Sequence, residues 1–141
     1  MQPQIVLDTN VLLSGLHSRL GASFALLNKI SAGDVGIHLS VPLLLQYQDV
    51  LVRNVGKLEV DEATISAAID RLCAVGTYHQ IYYLWRPLLP DPKDDLILEL
   101  AVAAKCTHIV THNIRDFRCT DSFGIAVVSP IQLLKDLGDR P

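Results

Sequence analysis

Short apolar runs alternate along this chain with longer stretches in which apolar residues recur at helical spacing. Ile5-Val6-Leu7 is a continuous apolar triplet bounded by polar residues, the mark of a strand buried on both faces. Residues 10–16 and 22–30 carry helical patterns; in the second, Phe24, Leu27 and Ile30 share a face, and Ser31-Ala32-Gly33 ends it. Residues 36–40 read as a second strand. Pro42 then opens a helix over residues 42–53, because a proline in the first turn gives up no helical hydrogen bond. Ile65, Ala68, Ile69 and Leu72 give residues 62–75 one apolar face. Residues 78–84 are rich in strand formers. A buried helix over 91–105, strands over 108–111 and 125–128, and a last helix over 130–137 complete the order. Strands separated by helices predict an α/β fold: one domain over residues 1–141, with a mainly parallel twisted sheet and helices on both faces.

Composition narrows the function. The 141 residues are enough for one core without disulfides, and half of them are hydrophobic, which excludes a disordered chain. That much apolar surface predicts self-association or a protein partner. The net charge is −3, from 12 basic and 15 acidic residues, so nucleic acid would be held at a local site and not by bulk charge. No run approaches the ~20 apolar residues of a membrane span. The opening Met-Gln-Pro-Gln lacks the basic start of a signal peptide, and Cys73, Cys106 and Cys119 are odd in number and widely spaced. A reduced, cytoplasmic protein with no membrane partner is the expectation.

In open α/β sheets, ligands bind beyond the carboxyl ends of the strands. Asp8-Thr9-Asn10 follows the first strand. Thr111-His112-Asn113 follows the fourth, with Asp116 three residues on, and Asp91-Pro92-Lys93-Asp94-Asp95 opens the buried helix. Carboxylates gathered at one edge repel one another unless a cation neutralises them, and Mg²⁺ favours carboxylate and water oxygens. Such a site activates water and stabilises charge on a phosphodiester. Each piece also has a plain structural reading. Asp8-Thr9-Asn10 suits a helix N-cap, Asp91-Pro92-Lys93-Asp94 suits a helix start, and Asp116 suits a turn. Only the conjunction at corresponding strand ends points to chemistry.

These segments carry a family resemblance. Ile5-Val6-Leu7-Asp8-Thr9-Asn10-Val11-Leu12 resembles the opening of PIN domains. Asp91-Pro92-Lys93-Asp94-Asp95-x-x-Leu98-x-x-Ala101 and Ile109-Val110-Thr111-His112-Asn113-Ile114-Arg115-Asp116-Phe117 resemble their later motifs. Val128-Ser129-Pro130-x-x-Leu133-Leu134 is similar to the end of a bacterial subgroup, the toxin components of toxin–antitoxin systems. The resemblance implies a Mg²⁺- or Mn²⁺-dependent ribonuclease. Its catalytic and metal-binding acids would be Asp8, Asp94 and Asp116, supported by Thr9, Asn10, Thr111 and Asn113. It also implies RNA as substrate, a homodimer and an antitoxin partner. One position departs from the pattern. The family has a glutamate in the helix after strand two, in a stretch that here reads Leu43-Leu44-Leu45-Gln46-Tyr47-Gln48-Asp49-Val50-Leu51. Gln46 offers an oxygen but no charge, so the site should hold its metal more weakly. Asp49, a turn away, is the candidate to compensate.

Lys93 and Arg115 lie within the acidic motifs and are the candidate phosphate contacts; Arg86 and Arg118 fit ordinary surface. His112 fits a structural role, and the cysteines lack zinc-site spacing. Tyr78, Tyr82, Tyr83 and Trp85 suit a core or a dimer interface more than base stacking. Two other functions stay open beside the nuclease. One is a non-catalytic domain that binds RNA or a partner protein, which Gln46 would favour. The other is a different phosphate-handling enzyme. Aspartyl-phosphate chemistry wants an acid where Asn10 stands, and dinucleotide binding wants a glycine-rich turn that residues 8–13 lack.

Overall fold

The computed structural model describes residues 2–80, 92–117 and 123–138, without the side chains of Pro92 and Lys93. Five parallel strands form the sheet: β1 (Gln4–Leu7), β2 (Gly36–Leu39), β3 (Thr77–Tyr78), β4 (His108–Val110) and β5 (Ala126–Val128), in the order β3-β2-β1-β4-β5. The expected α/β class and parallel sheet are what the chain adopts. Ile5, Val6 and Leu7 have no exposed surface, as a central strand covered on both faces requires. The edge is blunt by comparison: β3 has two residues, both exposed.

Helices α1 (Thr9–His17) and α2 (Ala22–Ser31) connect β1 to β2. Helices α3 (Val41–Arg53), α4 (Val55–Leu58) and α5 (Glu62–Val75) connect β2 to β3. These two crossovers run in the same direction across the sheet, so the right-handed rule puts them on one face, where α1, α2, α3 and α5 pack on one another. Gly15 allows the tight α1–α2 approach, since a Cβ there would stand 2.5 Å from Leu27 Cδ1. The step from β3 to β4 runs the other way. It places α6 (Pro92–Ala103) on the opposite face, against β1, β2 and β4. A 3-10 turn (Ile114–Phe117) precedes β5, and α7 (Pro130–Asp136) closes the described chain against α2.

Local chemistry explains the helix starts. Ser40 caps α3 by accepting from Leu43 N at 3.3 Å, so the helix begins at Val41 with Pro42 second, not first as expected. Asp61 caps α5 through Thr64 N at 2.8 Å, and Ser129 caps α7 through Gln132 N at 3.1 Å. Of the strand expected over 78–84, Tyr78 lies in β3 and His79 and Gln80 follow it; residues 81–91 lie outside the described set, and with them Tyr82, Tyr83, Trp85, Arg86 and Asp91. Arg118 and Cys119 also lie outside it. Cys106 is buried, which pushes its thiol up to about 12. Tyr78 is half exposed, so of the core and the dimer interface expected for it the core does not hold.

Two histidines make the sheet sensitive to acid. Burial lowers the pKa of His38, with a smaller contribution from His79, whose Nε2 lies 2.7 Å from His38 Nδ1. Burial also lowers His108, partly offset by Asp136. For a histidine depressed below 6.5, the stabilisation is present above that value and is lost as pH falls through the folded-state pKa. Thermal unfolding should therefore move to lower temperature between about pH 7 and about pH 5, and His38→Asn should flatten that slope.

A candidate active site at the strand switch point

The chain leaves β1 toward β2 and β3 on one side, whereas β4 and β5 lie on the other. The crevice beyond the carboxyl ends of β1 and β4 is thus the switch point, where open α/β sheets place their ligands. Asp8 N donates to Val110 O at 2.9 Å and Thr111 N to Val128 O at 2.9 Å, which carries the ladder one residue past each strand. Both polar tripeptides are thereby fixed side by side at the mouth of this crevice.

Asp8 occupies the N-cap position of α1, yet its side chain makes no cap hydrogen bond. Its Oδ2 instead accepts from Thr111 Oγ1 at 2.6 Å. Thr111 is fully buried, and its hydroxyl also accepts from Asn113 N at 3.0 Å, so one side chain ties the acid to the β4 loop. Asn10 Oδ1 accepts from His112 N at 3.4 Å across the same gap. The His112 ring reaches Ser23 Oγ at 3.4 Å on α2, in keeping with its structural role.

Burial raises the pKa of Asp8, and the nearby Asp116 carboxylate raises it further; the Thr111 hydroxyl and the backbone at Thr9 and Asn10 oppose both. Asp116 sits exposed on the 3-10 turn, its amide held by Asn113 O at 3.0 Å, with exposed Arg115 beside it. Tyr47 is fully buried and donates its hydroxyl to Leu7 O, pinning α3 to the end of β1. Burial and the charge of Asp8 hold its phenol well above its usual value. One residue before it, Gln46 Nε2 donates to Thr9 Oγ1 at 2.9 Å, so Gln46 does face the site.

Asp94 is buried in the first turn of α6. A helix between two parallel strands runs antiparallel to them, so its N-terminus lies at their carboxyl ends, and α6 packs on β1, β4 and the 3-10 turn. Lys93 belongs to the same turn, but its side chain is outside the described set. Asp49 does not compensate for Gln46. It is exposed and pairs with Arg53 at 2.9 Å, a surface contact along the helix. Nor do the acids close into a cage: among the described residues, no three of His, Cys, Asp and Glu stand close enough to hold a metal ion between them. Asp8 and Asp116 repel, and the exposed turn lets Asp116 keep its distance. The donors are all oxygens, though. Mg²⁺ is commonly held by one or two carboxylates with water completing its shell, which this open arrangement fits better than an all-protein cage.

The sequence profile of the PIN domain matches residues 4–115, from β1 into the 3-10 turn, and ends one residue before Asp116. The chain belongs to the PIN domain family. Among curated proteins none matches it. Among solved structures, a chain of VapBC2 from Rickettsia felis, crystallised bound to a DNA fragment from their promoter, superposes with a TM-score of 0.58. The match covers 88% of this chain and 96% of that one at 14% identity, and so shows a shared fold. Within this PIN domain, the profile takes in Asp8-Thr9-Asn10, the α6 acids and Thr111-His112-Asn113, while Asp116 lies just past its end.

Proposed function

We propose that this PIN domain is a Mg²⁺- or Mn²⁺-dependent endoribonuclease that hydrolyses RNA phosphodiester bonds, acting as the toxin of a toxin–antitoxin pair. The observation that carries the reading is Asp8. A buried carboxylate heads the central strand at the switch point, and it is bound by Thr111 instead of capping its helix. Asp8, Asp94 and Asp116 would hold the divalent ion, which when bound supplies charge that polarises the phosphodiester and promotes attack by water. Thr111 orients Asp8, while Asn10 and Asn113 fix the loop that carries Asp116. Gln46 holds Thr9, the residue that follows the acid. Arg115, exposed beside Asp116, and Lys93 in the α6 turn would hold the RNA backbone.

The partners follow from the same reading: RNA, an antitoxin and a second copy of the chain, in the cytoplasm. Leu45 and Val52 stand exposed on α3, apolar surface that a protein partner would cover. Among the described residues, no helix is long and apolar enough to cross a membrane. A second reading rests on Gln46. Its amide nitrogen, not a carboxylate, meets Thr9, which suits a domain that binds RNA or protein without cutting.

The test is cleavage of a labelled single-stranded RNA. Activity should be present in Mn²⁺ and fall to background when EDTA is added, returning with excess Mn²⁺. Cleavage that persists in EDTA would overturn the metal-dependent mechanism, and no cleavage of any RNA would favour the binding module.

A further inference from the structure

Two neighbouring residues of α3 hold the chain on either side of Asp8. The Tyr47 hydroxyl donates to Leu7 O, one residue before the acid, and Gln46 Nε2 donates to Thr9 Oγ1 at 2.9 Å, one residue after it. From the other side, β4 and its loop supply two more bonds. Asp8 N donates to Val110 O at 2.9 Å, and Thr111 Oγ1 donates to Asp8 Oδ2 at 2.6 Å. The peptide that joins Leu7 to Asp8 is therefore fixed at both ends, its carbonyl by α3 and its N–H by β4. Sheet pairing does not account for the first of these bonds. The β1–β2 register runs over Gln4↔Gly36 and Ile5↔Ile37, so Leu7 lies past the paired residues on that side. A buried carbonyl outside the ladder needs a donor from elsewhere. Tyr47 has no exposed surface and shares the buried face of α3 with Leu43 and Leu51, where a phenylalanine ring would pack as well. Its one polar atom is committed to the peptide that carries Asp8.

We infer that Tyr47 is a positioning residue of the metal site: with Gln46 it clamps the turn that carries Asp8, so that the carboxylate meets a divalent ion in a fixed place. The inference rests on the metal-dependent reading of Asp8. Mg²⁺ demands near-ideal geometry, and groups behind a ligating carboxylate decide whether it is held there. Thr111 fixes one carboxylate oxygen, but the carboxylate still follows its own main chain, and α3 holds that chain from the side that β4 does not reach. Tyr47 acts through the backbone alone and brings no charge to the ion. The Thr9 hydroxyl both accepts and donates, so the second point of the clamp survives with either an amide or a carboxylate at position 46. A tyrosine that only supported the fold would matter to stability and not to the ion.

The experiment measures Mn²⁺ affinity by electron paramagnetic resonance and thermal unfolding by circular dichroism on the same proteins, with binding read at a temperature where each is folded. Tyr47→Phe keeps the ring and loses the hydroxyl; it should bind Mn²⁺ about fivefold more weakly than the wild type. Ile65→Val, a change in the buried face of α5 away from the turn, should lower the unfolding temperature and leave Mn²⁺ affinity unchanged. Thr9→Val removes the other point of the clamp without disturbing the buried phenol, and should weaken Mn²⁺ by about threefold. It decides the matter if Tyr47→Phe fails to fold. RNA cleavage lost in Tyr47→Phe should return as Mn²⁺ is raised, since the ion is held less well and the ligands are all present. Unchanged Mn²⁺ affinity in folded Tyr47→Phe, or in Thr9→Val, overturns the clamp and leaves the metal site standing. A wild type that takes up no Mn²⁺ removes the metal site itself, and the clamp with it.

Discussion

Asp8→Asn should lower RNA cleavage by about a hundredfold or more and, in the same protein, raise the thermal unfolding temperature in metal-free buffer at neutral pH. The two effects have one cause. Asp8 is buried, and burial, then Asp116, pushes its pKa up. For an acid so raised, the stabilising proton is fully held below the unfolded value of 3.8 and lost as pH rises through the folded one. At neutral pH the wild type therefore carries a buried charge at a cost. Asparagine removes that charge and keeps an oxygen for the Thr111 hydroxyl, so the packing survives. The stability gain should shrink as pH approaches the acid range, and differential scanning calorimetry across pH reads this directly. A charge retained against stability is what a functional carboxylate looks like. If Asp8→Asn cuts RNA as well as the wild type, the site assignment is wrong.

Gln46→Glu should raise cleavage by about tenfold or more at limiting Mn²⁺, with a smaller gain at saturating ion. Gln46 already faces the site through Thr9, so glutamate would bring its carboxylate to that wall with no change in helix packing. The added negative charge tightens the hold on a divalent ion. Without metal it stands near Asp8 and should destabilise the fold, and Mn²⁺ should reverse the loss. Asp49→Asn should change neither quantity, because Asp49 is spent on Arg53 at the surface. Cleavage rates measured against Mn²⁺ concentration separate ion affinity from turnover. A gain confined to low Mn²⁺ identifies a weakened nuclease; no cutting before or after the substitution points to the binding module.

Much of the fold was legible because β1 and the buried part of β4 are written as uninterrupted apolar runs. Ile5-Val6-Leu7 and Ile109-Val110 are dry on both faces. Helix starts were legible within a residue, since Asp61 and Ser129 cap where the pattern turns helical. The short α4 and the 3-10 turn were not, because four residues show no period. The order of carboxylates along the chain was visible, but their environment was not. Nothing in Asp8-Thr9-Asn10 says whether Asp8 caps α1 or turns to Thr111, since the choice depends on a residue 103 positions away. Asp49 and Gln46 look alike by helical spacing, and only packing shows that one faces solvent and the other Thr9. His79 gave no motif at all. Its signal is positional: it follows the short strand β3.

The central claim is that the switch-point carboxylates hold a divalent ion, and Mn²⁺ titration followed by electron paramagnetic resonance tests it most directly. The wild type should take up Mn²⁺ saturably, with Mg²⁺ competing, and Asp8→Asn should bind it about tenfold more weakly or worse. Equal uptake by both proteins would contradict the account, since the ion would then be held without the buried acid that heads the central strand.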